Sequence, residues 1–231
     1  MPEKSDLTQS KSVQDFLKAV YALQPQMERV STNALADVLG VQAPSVTDMA
    51  QRLVTAGLLD YERYKGVVLT AEGEALALKI LRRHRLIELY LVTDLGYAVQ
   101  DVHAEAENLE HAVSDRFIEA IAVKMGNPEV DPHGDPIPHA DGTIVRRDLH
   151  PLTEWPLEKA AEVSRIKTDN REMLEHILDR GFNLGSRVKV LARDPFEGPV
   201  TTLVYGEQRI VGHNGASCIL VESTDNGHGR E

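Results

Sequence analysis

Cysteine is almost absent from this chain: Cys218 stands alone in 231 residues. That excludes an intrachain disulfide framework and a cysteine-rich zinc module. It fits a reducing compartment, and a cytoplasmic location is expected. No apolar run reaches the roughly 18–20 residues that a membrane span needs, so no membrane partner is expected. The opening MPEKSDLTQSKSVQ is polar and of mixed charge, without the apolar stretch of a secretory signal. Basic residues are also short, 25 Lys and Arg against 36 Asp and Glu, for a net charge of -11. That balance speaks against indiscriminate nucleic-acid binding but leaves room for a local basic surface. A hydrophobic content of 42% with 26% charged residues describes folded domains rather than a disordered chain.

Hydrophobic spacing divides the first 125 residues into helices. Val13, Phe16, Leu17, Val20, Tyr21 and Leu23 recur at helical spacing, giving a first helix from near Ser12. Ser31-Thr32-Asn33 caps a short helix that Gly40 stops, and Ser45 to Ala56 forms another with Pro44 at its start. Lys65-Gly66 reads as the tip of a hairpin between β-prone segments. A long helix follows from Glu74 to about Thr93, and a further one from about Gln100 to Lys124. Residues 126–158 gather six prolines and three histidines and read as an irregular connector. Ser164–Asp179 reads as helix. Beyond Gly181, short segments at Val188–Ala192, Thr201–Tyr205, Arg209–Val211 and Ala216–Val221 suggest a small β-barrel. The fold class expected is mainly α: a winged helix-turn-helix (1–74), a helical metal-binding and dimerisation domain (75–145), a linker (146–160), an SH3-like barrel (161–223) and a polar tail (224–231).

Two short helices, a tight break and a hairpin follow the order of a winged helix-turn-helix. Ser45, Thr47 and Gln51 are candidates for base edges, and Arg52, Arg63 and Lys65 for phosphates. The same elements can equally pack as a plain α/β subdomain. Residues 1–75 hold 7 Lys and Arg against 10 Asp and Glu. The deficit favours specific, conditional binding over a purely electrostatic grip.

The second informative stretch is His103-Ala104-Glu105-Ala106-Glu107-Asn108-Leu109-Glu110-His111. On one continuous helix, His103, Glu107, Glu110 and His111 would share an arc of about 100°. Such a concentration of negative charge is costly unless a cation or water relieves it. His84 and Glu88 share a face of the preceding helix at i,i+4. Oxygen-rich sites with imidazole suit manganese or iron. Taken alone, His84 within Arg82-Arg83-His84-Arg85 reads as an exposed histidine on a basic face, and Glu88 as a surface carboxylate. Cys218 reads as a buried small apolar residue. The ExxEH order at 107–111 matches neither HExxH nor HxxEH, so a zinc peptidase has no motif here.

Arg83-His84-Arg85-Leu86, Val102-His103-Ala104-Glu105, Glu110-His111 with Ser114-Asp115, and Asp135-Pro136-Ile137-Pro138 follow the wing in order. Together these features resemble the diphtheria-toxin-repressor family of metal-activated regulators over about residues 12–140. The resemblance implies a homodimer that binds double-stranded operator DNA when metal adjusts its reading helices. It implies a main metal site of Asp15, His84, Glu107, Glu110 and His111, and a second cluster including Glu88 and His103. Iron-responsive members usually carry methionine and cysteine at the places of Asp15 and Glu107, so this chain resembles the manganese type. Lys18 departs from a carboxylate found in some manganese members, which weakens the expectation of a paired two-manganese site. In longer members the barrel can donate a carboxylate and an amide; here those places fall on Arg165 and Thr168, with Asp169 or Glu172 as the alternatives in a shifted register. The reading is a manganese-dependent repressor of metal-uptake genes, not an enzyme, with Mn2+ as cofactor and Fe2+ as its alternative. Its rivals are a helical metalloenzyme and a metal-storage module.

Overall fold

The computed structural model describes residues 4–168 and 170–224. The chain forms two compact units. The first takes in residues up to 87 with 106–124 and 137–144; the second takes in 88–105, 125–136 and the chain from 145 onward. Residues 88–105 and 125–136 are thus grouped with the C-terminal residues.

In the first unit, α1 (Lys4–Gln9) precedes α2 (Lys11–Leu23), whose Val13, Phe16, Leu17 and Val20 are buried. That apolar face packs with Leu35 of α3 (Thr32–Leu39) and with Val46, Ala50 and Leu53 of α4 (Ala43–Thr55). Ser31 Oγ accepts from Ala34 N at 3.1 Å, and Gly40 closes α3 in the left-handed region. The hairpin of β1 (Leu59–Glu62) and β2 (Gly66–Leu69) is antiparallel, with Leu59 opposite Leu69 and Glu62 opposite Gly66. Val67 bridges to Val30, and this brings backbone close to Gly66, where a Cβ would lie 2.2 Å from Val30 O. Only glycine fits there, which pins the wing to the entry of α3.

A long helix, α5 (Ala71–Thr93), follows the wing. The single helix expected over 100–124 is instead two, α6 (Val102–Leu109) and α7 (Asp115–Lys124). Ser114 supplies the break: its Oγ accepts from Phe117 N at 3.3 Å and its carbonyl from Ile118 N. Glu110 and His111 therefore sit in the turn beyond α6 rather than on its face.

In the second unit a six-stranded antiparallel sheet runs in the order β3-β8-β4-β5-β6-β7. These strands are His150–Pro151, Ala160–Ile166, Arg187–Arg193, Val200–Val204, Glu207–Val211 and Ile219–Ser223 for β3 to β8 in chain order. Register shifts at Val163/Arg165 and Val190/Ala192 bend β4 and β5. Two helices, α8 (Arg171–Asp179) and α9 (His213–Cys218), lie between strands in sequence. Two expectations fail here. Ser164–Ile166 is strand, not helix, because Ala161, Val163 and Ile166 are needed in the sheet's core, and Ala216–Cys218 is helix rather than strand. The stretch expected as linker gives β3 and two core side chains, Leu152 and Trp155. Its prolines are compatible with that, since β3 is a two-residue strand at the sheet's edge.

Candidate metal centre and nucleic-acid interface

Asp15 on α2, Glu107 on α6, and Glu110 and His111 in the turn beyond it converge in the first unit, with one ligand atom from each within 4.8 Å of the others. Asp15 and Lys18 share the polar side of α2, opposite the face that packs on α3 and α4. Two carboxylates at that separation repel by roughly 3 kcal/mol at an effective dielectric of about 20. His111 shows what such a cluster lacks. Its Nδ1–H donates to Gln14 Oε1 at 2.7 Å, and Gln14 is held in that orientation because its Nε2 donates to Thr8 O at 2.9 Å. The ring therefore turns Nε2 inward, 2.9 Å from Asp15 Oδ1 and 3.3 Å from Glu110 Oε1. Both Nε2 and Asp15 Oδ1 are buried, and neither has a hydrogen-bond partner. A neutral ring donating through Nδ1 presents a lone pair on Nε2, so two lone pairs face one another across a gap suited to a cation. The residues fit a divalent metal: three carboxylates and one imidazole, with neither thiolate nor thioether in the set.

Glu110 is fully buried, and both its oxygens are engaged. His84 Nδ1 lies 2.5 Å from Oε2, and the Lys18 ammonium donates to Oε1 at 2.7 Å. Burial alone would raise the Glu110 pKa; hydrogen bonding and charge from His84, then Lys18, outweigh it and hold the carboxyl below its usual range. Lys18 is the mirror case. Burial would lower its pKa, but the charge of Glu110 and hydrogen bonds to Glu107 and Glu110 raise it. Lys18 also donates to Glu107 Oε1. At the rim, the exposed Lys11 ammonium lies 3.7 Å from Asp15 Oδ2.

His84 is 5% exposed, contrary to the exposed basic-face reading. Its guanidinium neighbours Arg82 and Arg83 are spoken for by Glu119 and Asp115, and the ring turns in to Glu110. Glu88 is likewise buried rather than on the surface, and His103 Nδ1 lies 3.3 Å from its Oε1; both belong to the second unit. Arg165 pairs with Asp135, and Thr168 Oγ1 accepts from Asn170 N at 3.2 Å. Glu172 is exposed in the first turn of α8, and Asp169 lies outside the described residues. Sequence reasoning missed Gln14. Gln14 lies beside the apolar positions 13, 16, 17 and 20 rather than among them, so apolar spacing carries no signal for it.

On the helix-turn-helix, Ser45, Gln51 and Arg52 are exposed along α4. Thr47 is half-buried, and its hydroxyl donates to Ala43 O at 3.1 Å, which occupies its donor within the helix. At the wing, the Arg63 guanidinium lies 4.8 Å from the Tyr64 ring centre, and Lys65 Nζ lies 2.7 Å from Glu62. Arg29, also missed, anchors the hairpin through Asp60 at 3.0 Å and Glu62 at 3.1 Å. Among the described residues, no helix is long and apolar enough to cross a membrane.

Three family descriptions match the chain in sequence order: the N-terminal DNA-binding domain of iron-dependent repressors over residues 8–67, their metal-binding and dimerisation domain over 70–139, and a FeoA domain over 150–223. The iron-dependent repressor IdeR of Mycobacterium leprae is 28% identical over 220 residues, 90% of this chain and 95% of that protein. The regulator MntR of Lysinibacillus sphaericus is 32% identical over 123 residues, 52% of this chain and 88% of that protein. Among solved structures, a manganese-dependent transcriptional repressor in complex with manganese is similar at a TM-score of 0.84 and 39% identity, covering 91% of this chain and 99% of that one. With the two repressor domains and the FeoA domain matched in this order, the chain belongs to the diphtheria-toxin-repressor family of metal-dependent, DNA-binding transcriptional regulators.

Proposed function

We propose that this chain is a manganese-activated repressor of metal-uptake genes, acting in the cytoplasm as a homodimer on operator DNA. The observation that carries the metal reading is the pair of buried, unpartnered atoms, His111 Nε2 and Asp15 Oδ1, facing each other at 2.9 Å. Asp15, Glu107, Glu110 and His111 would hold a divalent cation, which would supply the positive charge that the three carboxylates lack. The oxygen-rich donor set favours Mn2+ over thiophilic ions and accepts Fe2+ as the alternative. His84 orients Glu110, Gln14 orients His111, and Glu88 with His103 forms a separate candidate pair.

Asp15 carries the consequence to DNA. It stands on α2, whose opposite face packs on α3 and α4, so fixing Asp15 to the turn at 110–111 constrains the helices that read DNA. Such coupling raises operator affinity only in so far as the ligands converge better in the DNA-competent state. Ser45, Thr47 and Gln51 would face base edges, and Arg52, Arg63 and Lys65 phosphates, with Thr47 acting chiefly through its methyl group because its donor is used.

The test is a mobility-shift titration on DNA upstream of the protein's own gene, with Mn2+, Fe2+ or chelator. Mn2+ should tighten binding, and His111→Ala should lose that stimulation by about a hundredfold or more, beyond the range typical of residues behind the ligands. Equal operator affinity in Mn2+ and in chelator overturns the reading.

A further inference from the structure

The Lys18 ammonium occupies a place among the candidate ligands that a metal ion would contest. It donates to Glu107 Oε1 and, at 2.7 Å, to Glu110 Oε1. Glu110 Oε1 is also the oxygen that lies 3.3 Å from His111 Nε2, so it borders the gap between His111 and Asp15. Glu110 has no oxygen to spare, because its Oε2 is held by His84 Nδ1 at 2.5 Å. The Lys18 side chain is only 18% exposed, so its charge is poorly screened by solvent. Resting on the metal-centre reading above, we propose that Lys18 is a tethered internal cation: it holds the metal-free cluster together, competes with an incoming divalent ion for Glu110, and limits the cluster to one such ion.

Charge supports both halves of this. Leaving the imidazoles aside, Asp15, Glu107 and Glu110 with Lys18 sum to two net negative charges. One divalent cation brings that to neutrality, and a second would leave an excess of positive charge in a largely buried place. Position supports it as well. Lys18 reaches Glu107 and Glu110, whereas Asp15 Oδ1 and His111 Nε2 lack hydrogen-bond partners. The first ion therefore has an open pair of donors, Asp15 and His111, and must draw Glu110 Oε1 away from the ammonium. Affinity is then set by a difference, metal on Glu110 against ammonium on Glu110, and this one side chain adjusts it without being a ligand. A lysine cannot ligate while protonated, since its ammonium has three donors and no lone pair.

The experiment compares the full-length protein with Lys18→Met, Lys18→Gln and Lys18→Arg by calorimetric titration with MnCl2 and by thermal melting in chelator. The neutral variants should bind Mn2+ at least about tenfold more tightly, equivalent to about 1.4 kcal/mol. They should also melt at lower temperature than the native chain in chelator and gain more from added Mn2+. Lys18→Arg, which keeps the charge, should return affinity towards the native value. Native affinity and native metal-free melting in both neutral variants overturn this inference alone, as does weaker Mn2+ binding by them. Absence of Mn2+ binding in every form, native included, overturns the metal-centre reading along with it.

Discussion

Around His111 three carboxylates crowd one largely buried ammonium, whereas in the second unit each of two carboxylates meets a guanidinium. Asp135 pairs with Arg165, and Glu222 accepts from Arg147 at 3.2 Å and from Ser164 Oγ at 2.6 Å. In these pairs, acid is matched by base. Around His111 three carboxylates face one ammonium, and the buried carboxylate oxygen without a hydrogen-bond partner, Asp15 Oδ1, faces the equally unpartnered His111 Nε2. The atom left unpartnered in the Asp135–Arg165 pair is instead a donor, Arg165 Nε. Acidic residues are therefore a poor guide to a cation site in this chain. What separates the two regions is the charge and the lone pairs left over once every internal cation has been assigned.

Among residues that are not candidate ligands, the largest expected effect in breaking that contrast belongs to Gln14. Gln14→Leu keeps the side chain's bulk but removes the acceptor that draws the proton onto His111 Nδ1. The ring is then free to flip or change tautomer, and Nε2 no longer presents its lone pair to Asp15. Mn2+ affinity should fall by about 10- to 100-fold, the range typical for partners behind metal ligands. Titration calorimetry reads this directly, and unchanged affinity would show that the histidine is oriented by something else. Because Gln14 is buried on α2, the metal-free variant must also be checked for folding by circular dichroism.

The comparison also explains what was legible in the sequence. The helical spacing around Val13–Leu23, the Ser31 cap, the Gly40 stop and the hairpin all follow local rules, and the structure has them near the expected residues. The ExxEH stretch was visible as a cluster, but its geometry was not. Glu110 and His111 reach the site from a turn, and apolar spacing says nothing about a capping serine at 114 that starts a new helix. Ser164–Ile166 misled for another reason: Val163 and Ile166 lie three apart, which suits a helix, while a register shift in β4 lets both face the same core. The burial of His84 was legible only through the family resemblance and not from the residues themselves, because Arg82 and Arg83 find their acids 30-odd residues away in sequence.

A smaller effect should come from the matched side of the contrast. Arg165→Leu removes the guanidinium from Asp135 within the second unit, where both side chains are about a fifth to a quarter exposed. A partly buried carboxylate losing its partner should cost about 1–3 kcal/mol of unfolding free energy, read by denaturant melts. Mn2+ affinity should stay at the native value, since neither residue is a candidate ligand in the cluster around His111. A loss of Mn2+ affinity without loss of stability would mean that the second unit contributes to the metal centre after all.

The smallest effect is expected at the wing, where charge is matched but exposed. Lys65 Nζ lies 2.7 Å from Glu62, and both side chains are open to solvent, as is the neighbouring Arg63. An exposed pair of this kind contributes about 0–1 kcal/mol to stability, so Lys65→Ala should barely change the melting temperature. Its consequence belongs to DNA binding. If Lys65 leaves Glu62 for a phosphate in the complex, the variant should bind all operator sequences more weakly by a similar factor, and the slope of log affinity against log salt should shrink by about one. Base preference should not move, because a phosphate contact carries no sequence information. A variant with an unchanged salt slope and an altered base preference would place Lys65 in a groove rather than on the backbone. It would also make the wing a reader of sequence in its own right, alongside α4.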